Sequence, residues 1–277
     1  MKNFKIGLQL YTLREDLNAD AEKTLMAVKE MGYDYVETAG YYGRTAKEMK
    51  ELLDKCGLKA ISAHQVYTPF LEDEAGMIAD MKTLGVEYCV VPWMPVAELM
   101  NKESFSKIIE DITKIAKALK ENGIKMGYHN HDFEFNKVDG KFIIDWIYEL
   151  VPEDLLKTEF DNCCVKYSVN DTIEYMKKYA GRSTILHLKD FVCKKFANGP
   201  AYALINDEGE ETDAGESTDN GFEFRPLGQG VQDFESIIKT AEETGIEYLI
   251  VEQDSWPTAT ALESAKQSRE YLRSLGL

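Results

Sequence analysis

The chain contains four histidines, and each falls at or near the end of an apolar, β-rich run: His64 on one, His129 and His131 on a second, His187 on a third. Carboxylates end other such runs, at Glu37, at Glu159 and Asp161, and at Glu252 and Asp254; Lys189 follows His187 by two. The two-residue period of an extended strand puts His129 with His131, Glu159 with Asp161, His187 with Lys189 and Glu252 with Asp254 on common faces. If those faces converge, imidazole and carboxylate without thiolate suit Mn2+, Co2+, Mg2+ or Zn2+, oxygen-rich sets leaning towards the harder ions. Asp161 has no basic neighbour in sequence, and Glu252 extends the apolar run Tyr248–Val251. Burying either one uncompensated is costly, which favours a metal or cationic partner. Lys189 is read as functional, against a structural ion pair with Asp190 or Glu159. A lone His64 reads as a hydrogen-bonded wall or substrate contact. Gln9, Tyr11, Trp93, Phe133 and Trp256 also lie near strand ends, the aromatic ones as sugar-stacking platforms or rim packing.

One local pattern supplies the elements. A helical stretch closes on glycine and a β-rich run begins within about two residues, which is the left-handed cap feeding a strand. It occurs at Gly32, Gly57, Gly85, Gly123, Gly181 and Gly245. With the opening run Lys5–Leu13 and the run Leu156–Val165, this predicts eight strands alternating with eight helices. Thr45/Glu48 and Thr260/Glu263 have capping-box spacing. The fourth helix, about Glu103–Asn122, carries Ile108, Ile109, Ile112, Ile115, Ala116 and Leu119 on one stripe. Strict βα alternation in 277 residues fits one (β/α)8 TIM barrel over residues 1–277 better than an open doubly wound sheet, and no GxGxxG follows the first strand. The irregular stretch is 194–230. Between Phe196 and Phe224 it has no Lys or Arg and eight acidic residues, as either a lid or a solvated excursion.

The formal charge of −17 makes nucleic acid and anionic membrane poor partners. No leader-like segment or long apolar span is evident, so a cytoplasmic protein is expected. Five cysteines without CxxC spacing read as small buried hydrophobes, not as a disulfide framework or a zinc–thiolate site.

Taken together, Tyr128-His-Asn-His-Asp-Phe-Glu-Phe135, Glu159-Phe-Asp161, Leu186-His-Leu-Lys-Asp190, Leu227-Gly-Gln-Gly230 and Val251-Glu-Gln-Asp254 with Ser264-Ala-Lys266 resemble the xylose-isomerase-like barrel superfamily, within it the sugar phosphate isomerase/epimerase group. The resemblance spans essentially the whole chain. It implies one divalent ion (Mn, Co, Mg or Zn) held by strands 5 to 8, with Asp161, His187 and Glu252 as ligands. Strand 5 departs from the family pattern: His129 stands where a Glu is usual. Either His129 coordinates directly, or Glu134 turns back to do so. The resemblance also implies His131 as proton-transfer base and Lys189 as oxyanion stabiliser; from the residues, His131 or Glu134 is read as the group that abstracts the proton. Gln9, Glu37, His64, Trp93 and Trp256 would contact substrate.

The expected function is therefore that of a metal-dependent isomerase, epimerase or lyase acting on a sugar, polyol or keto-glycoside through proton abstraction beside a carbonyl and a metal-stabilised enediolate. A non-catalytic carbohydrate-binding barrel is the alternative. A nuclease reading lacks a basic groove and extra histidine ligands. A homo-oligomer is left open.

Overall fold

The computed structural model describes residues 3–169, 171–194, 196 and 221–277. Eight parallel strands close into a barrel in sequential order: β1 Lys5–Gln9, β2 Tyr35–Ala39, β3 Lys59–His64, β4 Tyr88–Val91, β5 Lys125–His129, β6 Leu156–Asp161, β7 Ser183–Leu188 and β8 Tyr248–Val251. The principal outer helices are α1 Arg14–Met31, α2 Ala46–Cys56, α3 Glu74–Leu84, α4 Lys102–Glu121, α5 Ile143–Leu150, α6 Thr172–Lys178, α7 Phe234–Thr244 and α8 Ala261–Ser274. This is the expected (β/α)8 architecture. All six cap glycines have positive φ, from 72° to 92°, a region that costs glycine nothing and other residues strain. Both capping boxes form. On α4, which begins at its cap Asn101, Ile108, Ile112, Ile115, Ala116 and Leu119 are buried; Ile109 is only partly so.

The strands are shorter than their apolar runs, and side-chain caps explain where they stop. The first run leaves the barrel at Gln9 because the Gln9 carboxamide oxygen accepts the Tyr11 amide (3.0 Å), turning Leu10–Leu13 into a 3-10 helix. The run expected to reach Val165 ends at Asp161, whose Oδ1 accepts the Cys164 amide (2.8 Å); Asn162–Val169 is helical instead. β5 ends at His129, so His131 lies on the following loop and not on the strand face. Short helices Thr68–Glu72 and Val96–Met100 add to the expected set, as does a hairpin at Lys137–Val138 and Lys141–Phe142 whose Asp139-Gly140 turn has positive φ at both residues.

Inside the barrel, Ile61, Tyr88, Val90, Ile185, Tyr248 and Ile250 form an apolar cluster separate from the main core between barrel and helices. Gly127 lies against it: a Cβ there would come within 2.9 Å of Val90. Register shifts of the ladder fall immediately before Glu37 and before Glu159, placing local irregularity beside two inward carboxylates.

After β7, Asp190–Val192 pairs antiparallel with Glu223–Arg225. Asp190 accepts the amides of Gly228, Gly230 and Gln232 at 3.0, 2.8 and 3.2 Å, tying the returning chain to the barrel rim. A Cβ on Gly230 would sit 2.2 Å from Asp190, so the Leu227–Gly230 motif is where backbone crosses over that carboxylate. The lid and solvated-excursion readings of 194–230 turn on residues 197–220, which lie outside the described residues. No helix among the described residues is long and apolar enough to cross a membrane.

Candidate active site

Barrel register brings the site together pair by pair. Gln9 lies beside Glu37, His129 beside Glu159 and Asp161 beside His187 on adjacent strands. Glu252, just past β8, donates its amide to Leu188. His64, His129, His187, Glu37, Glu159, Asp161, Glu252, Lys189 and Asp254 all meet at the C-terminal end of the barrel. Around three clustered imidazoles stand five buried carboxylates, Glu37, Glu159, Asp161, Glu252 and Asp254, with Lys189 as the single buried lysine among the described residues. A buried charge excess of that size calls for protonated imidazoles or a bound cation.

The site has two levels. On the deep side, Glu37 Oε1 accepts from Gln9 Nε2 (2.6 Å) and faces His187 Nε2 (2.8 Å) and His64 Nε2 (2.9 Å). Glu159 Oε1 faces His64 Nε2 (2.7 Å), His187 Nε2 (3.0 Å) and His129 Nδ1 (3.1 Å). On the outer side, His187 Nδ1 meets Glu252 Oε2 (2.7 Å), and His129 Nε2 faces Asp161 Oδ2 at 3.8 Å, too far for a hydrogen bond. Lys189 Nζ lies 3.0 Å from Asp161, 2.8 Å from Glu252 and 2.9 Å from Asp254. These partners replace the Asp190 or Glu159 pairing considered from sequence.

The electrostatics follow from this arrangement. Burial depresses His64, but Glu37 and Glu159 outweigh it and push it up to about 10. Burial likewise opposes the charged form of His187, and Glu159, Glu37 and Glu252 raise it well above the ordinary imidazole value. His129 is held well below that value by burial, then by the neighbouring His187 and His131. Burial first and Lys189 second push His131 down to about 4, leaving an uncharged ring at neutral pH. Glu252 stays low because Lys189 and His187 outweigh its burial; Asp254, where burial prevails, is pushed up to about 6.

Among the described residues, two sets of donor atoms lie close enough for one ion: His129, Asp161, His187 and Glu252 on the outer side, and His64, His129, Glu159 and His187 on the deep side, each with all atoms within 4.8 Å of one another. The outer set fits a divalent ion on a specific observation. Asp161 spends Oδ1 on the Cys164 amide, while Oδ2 is buried and takes no hydrogen bond, with the Lys189 ammonium 3.0 Å away as its ion-pair partner. Two carboxylates and two imidazoles also balance a 2+ charge.

The remaining sequence candidates separate. His131, partly exposed, stacks on Phe133 (centroids 5.2 Å apart) and lies 5.1 Å from the His129 ring, beside the outer set but outside it. Glu134 turns the other way: it accepts from Tyr128 OH (2.5 Å) and the His131 amide (2.8 Å), and is in neither donor set. Burial pushes it up to about 8. Gln9 and Glu37 are fully buried below the imidazoles. Trp93 and Trp256 are partly exposed near the rim, and Arg14 packs between the Tyr11 and Trp256 rings, 4.3 and 4.9 Å from their centroids. Glu159 and Asp254, which carry no assigned role from sequence, are full members of the cluster; their two-residue spacing from Asp161 and Glu252 was the signal.

Comparison with known proteins agrees with this architecture. A family model described as xylose isomerase-like TIM barrel matches residues 25–275. An inosose dehydratase of Clostridium perfringens is 27% identical, over 98% of this chain and 97% of that protein. A crystal structure of a sugar phosphate isomerase/epimerase from Parabacteroides distasonis superposes with a TM-score of 0.77 at 26% identity, covering 98% of each chain. The crystal structure of IolI protein with a bound zinc atom superposes with a TM-score of 0.69 at 18% identity, over 98% of this chain and 97% of that one.

Proposed function

The chain belongs to the xylose isomerase-like TIM barrel family, and from that premise we propose that it is a divalent-metal-dependent lyase or isomerase acting on a small keto-polyol or keto-sugar. The observation that carries the reading is the outer quartet His129, Asp161, His187 and Glu252, with His131 and Lys189 beside it. A bound divalent ion would supply positive charge to the oxygens of a substrate carbonyl and its adjacent hydroxyl, making the neighbouring C–H more acidic.

The chain's own groups do the rest. His131, an uncharged imidazole whose buried Nδ1 accepts no hydrogen bond, takes the proton from carbon. The electron pair moves towards the carbonyl oxygen, where the Lys189 ammonium stabilises the developing negative charge. Returning that pair expels the β-hydroxyl, which leaves as water with the proton that His131 took; in an epimerisation a second group across the ring instead returns a proton to the opposite face of the carbon. Glu134 is the substitute base; its rise to about 8 leaves it largely protonated at neutral pH, and its bonds to Tyr128 and the His131 amide point it away from the quartet. Trp93, Trp256 and His64 remain the substrate contacts of the reading, while Gln9 and Glu37 act through His187.

The substrate class follows from the relative that is an inosose dehydratase and from the net charge of −17, which favours a neutral keto-polyol over a phosphorylated sugar. The test is proton exchange in D2O, followed by NMR on an inosose and on free ketoses with Mn2+, Co2+, Mg2+ or Zn2+ added. Deuterium entry beside the carbonyl, abolished by a chelator, is the expected result. Sugar binding without exchange under any metal would instead support a non-catalytic binding barrel.

A further inference from the structure

His129 and His187 stand between two groups of carboxylates, and each ring shows one nitrogen to either side. His129 gives Nδ1 to Glu159 and turns Nε2 to Asp161; His187 gives Nε2 to Glu37 and Glu159 and turns Nδ1 to Glu252. A neutral imidazole has one N–H and one lone pair, so the nitrogen engaged as donor on one side decides which nitrogen is free to ligate on the other. On the deep side the acceptors are in place at hydrogen-bond distance: 3.1 Å for His129 to Glu159, 2.8 Å for His187 to Glu37. On the outer side His129 Nε2 faces the buried Asp161 Oδ2 at 3.8 Å, beyond hydrogen-bond distance, and that oxygen is held by the Lys189 ammonium at 3.0 Å.

We propose that Glu159 is the positioning residue that makes His129 a metal ligand, holding the ring by its Nδ1–H so that Nε2 is left for the outer quartet. Glu37, fixed in turn by Gln9 at 2.6 Å, does the same for His187 through Nε2. With both shared imidazoles giving their deep nitrogens as donors, the deep set is the orienting shell of one ion and not a second ion's site. The inference rests on the ligand quartet of the proposed function. It also accounts for how this chain uses a histidine on β5: a carboxylate ligand needs no tautomer, an imidazole does, and Glu159 is its register neighbour on β6. Partners of this kind typically change metal affinity by about 10–100-fold when removed.

The experiment is a Co2+ titration of the metal-stripped full chain, read by equilibrium dialysis and by the visible ligand-field bands, with the melting temperature as folding control. Wild type should take one Co2+ per chain. Glu159→Gln should bind roughly 10–100-fold more weakly with altered bands, and Glu159→Leu, which has no acceptor at all, at least as weakly. His64→Gln removes another partner of Glu159 while leaving its contacts with His129 and His187, and should bind close to wild type. Unchanged affinity in Glu159→Gln, an equal loss in His64→Gln, or two Co2+ per wild-type chain would each overturn the proposal. Asp161→Asn separates it from the reading beneath it. Retention of Co2+ in that variant sinks the quartet itself, whereas its loss there alongside full binding in Glu159→Gln sinks only the positioning role.

Discussion

Ile185 and His187 stand two residues apart on the same face of β7, and Ile250 precedes Glu252 by the same interval at β8, yet the two levels of the barrel could hardly differ more. The lower level is an apolar plug of Ile61, Tyr88, Val90, Ile185, Tyr248 and Ile250. The upper level, at the same depth of burial, consists of imidazoles, carboxylates and one lysine. One turn of pleat thus separates groups whose burial stabilises the fold from groups whose burial costs it, a division of labour that barrels permit because hydrophobic layers and helix packing hold the strands in place. Upper-level changes should therefore remove chemistry with little loss of stability, and lower-level changes should do the reverse.

The largest expected effect tests the upper level. Asp161→Asn keeps an oxygen for the Cys164 amide but loses the ligand charge, so metal content measured by elemental analysis should fall to background, and turnover with it, at a near-native melting temperature. Asp161→Ala should lose the metal too and cost about 1 kcal/mol more through the missing cap. The opposite case is Ile185→Ala, expected to cost roughly 2–5 kcal/mol in denaturant unfolding while binding metal normally. A drop in metal affinity of Ile185→Ala as large as that of Asp161→Asn would break the division between levels.

Next in size is His131→Ala. Because His131 lies beside the quartet and not in it, turnover should fall by about 10²–10⁴-fold at unchanged metal content. Loss of metal from this variant would move His131 from base to ligand. Lys189→Met sharpens the picture from the cation's side. Removing the ammonium leaves Asp161, Glu252 and Asp254 without their shared partner, so the metal-free protein should lose roughly 3–5 kcal/mol, the usual cost of orphaning buried charge. Added divalent metal should restore much of that stability without restoring activity. A Lys189→Met protein as stable without metal as wild type would show that the carboxylates are neutralised by their own protons.

Much of this was legible in the sequence for identifiable reasons. Glycine caps and capping boxes are local signals, and they announced the alternation of helix and strand before any long-range contact was known. The convergence of Asp161, His187 and Glu252 was legible because in a parallel barrel all strand ends share one mouth. What escaped was decided by side chains reaching back to the main chain: Gln9 ending β1 at the Tyr11 amide, Asp161 starting a helix at Cys164, the departure of His131 from β5. That His129 and not Glu134 falls in the clustered donor sets was equally invisible, since it depends on Tyr128 pointing its hydroxyl at Glu134 from outside the barrel. The pairing of Lys189 with three carboxylates required knowing which strand ends lie opposite.

Glu134 supplies a pH test that leaves the metal ligands alone. Burial raises its carboxyl from 4.5 to about 8, against the opposing bonds from Tyr128 and the His131 amide. An acid whose folded-state pKa lies above its unfolded value binds its proton more tightly when folded. Below pH 4.5 both states are protonated and Glu134 exacts no pH-dependent cost. Between about 4.5 and 8 the unfolded chain ionises first, so stability falls as pH rises; above 8 both states are ionised and the loss is complete. Glu134→Gln has no proton to lose. Its melting temperature relative to wild type should therefore climb across this window and level off above it, as read by thermal unfolding in matched buffers. A difference between the two proteins that stays constant from pH 4 to pH 9 would mean that Glu134 is already ionised in the folded chain. It would then be restored as a competent base beside His131.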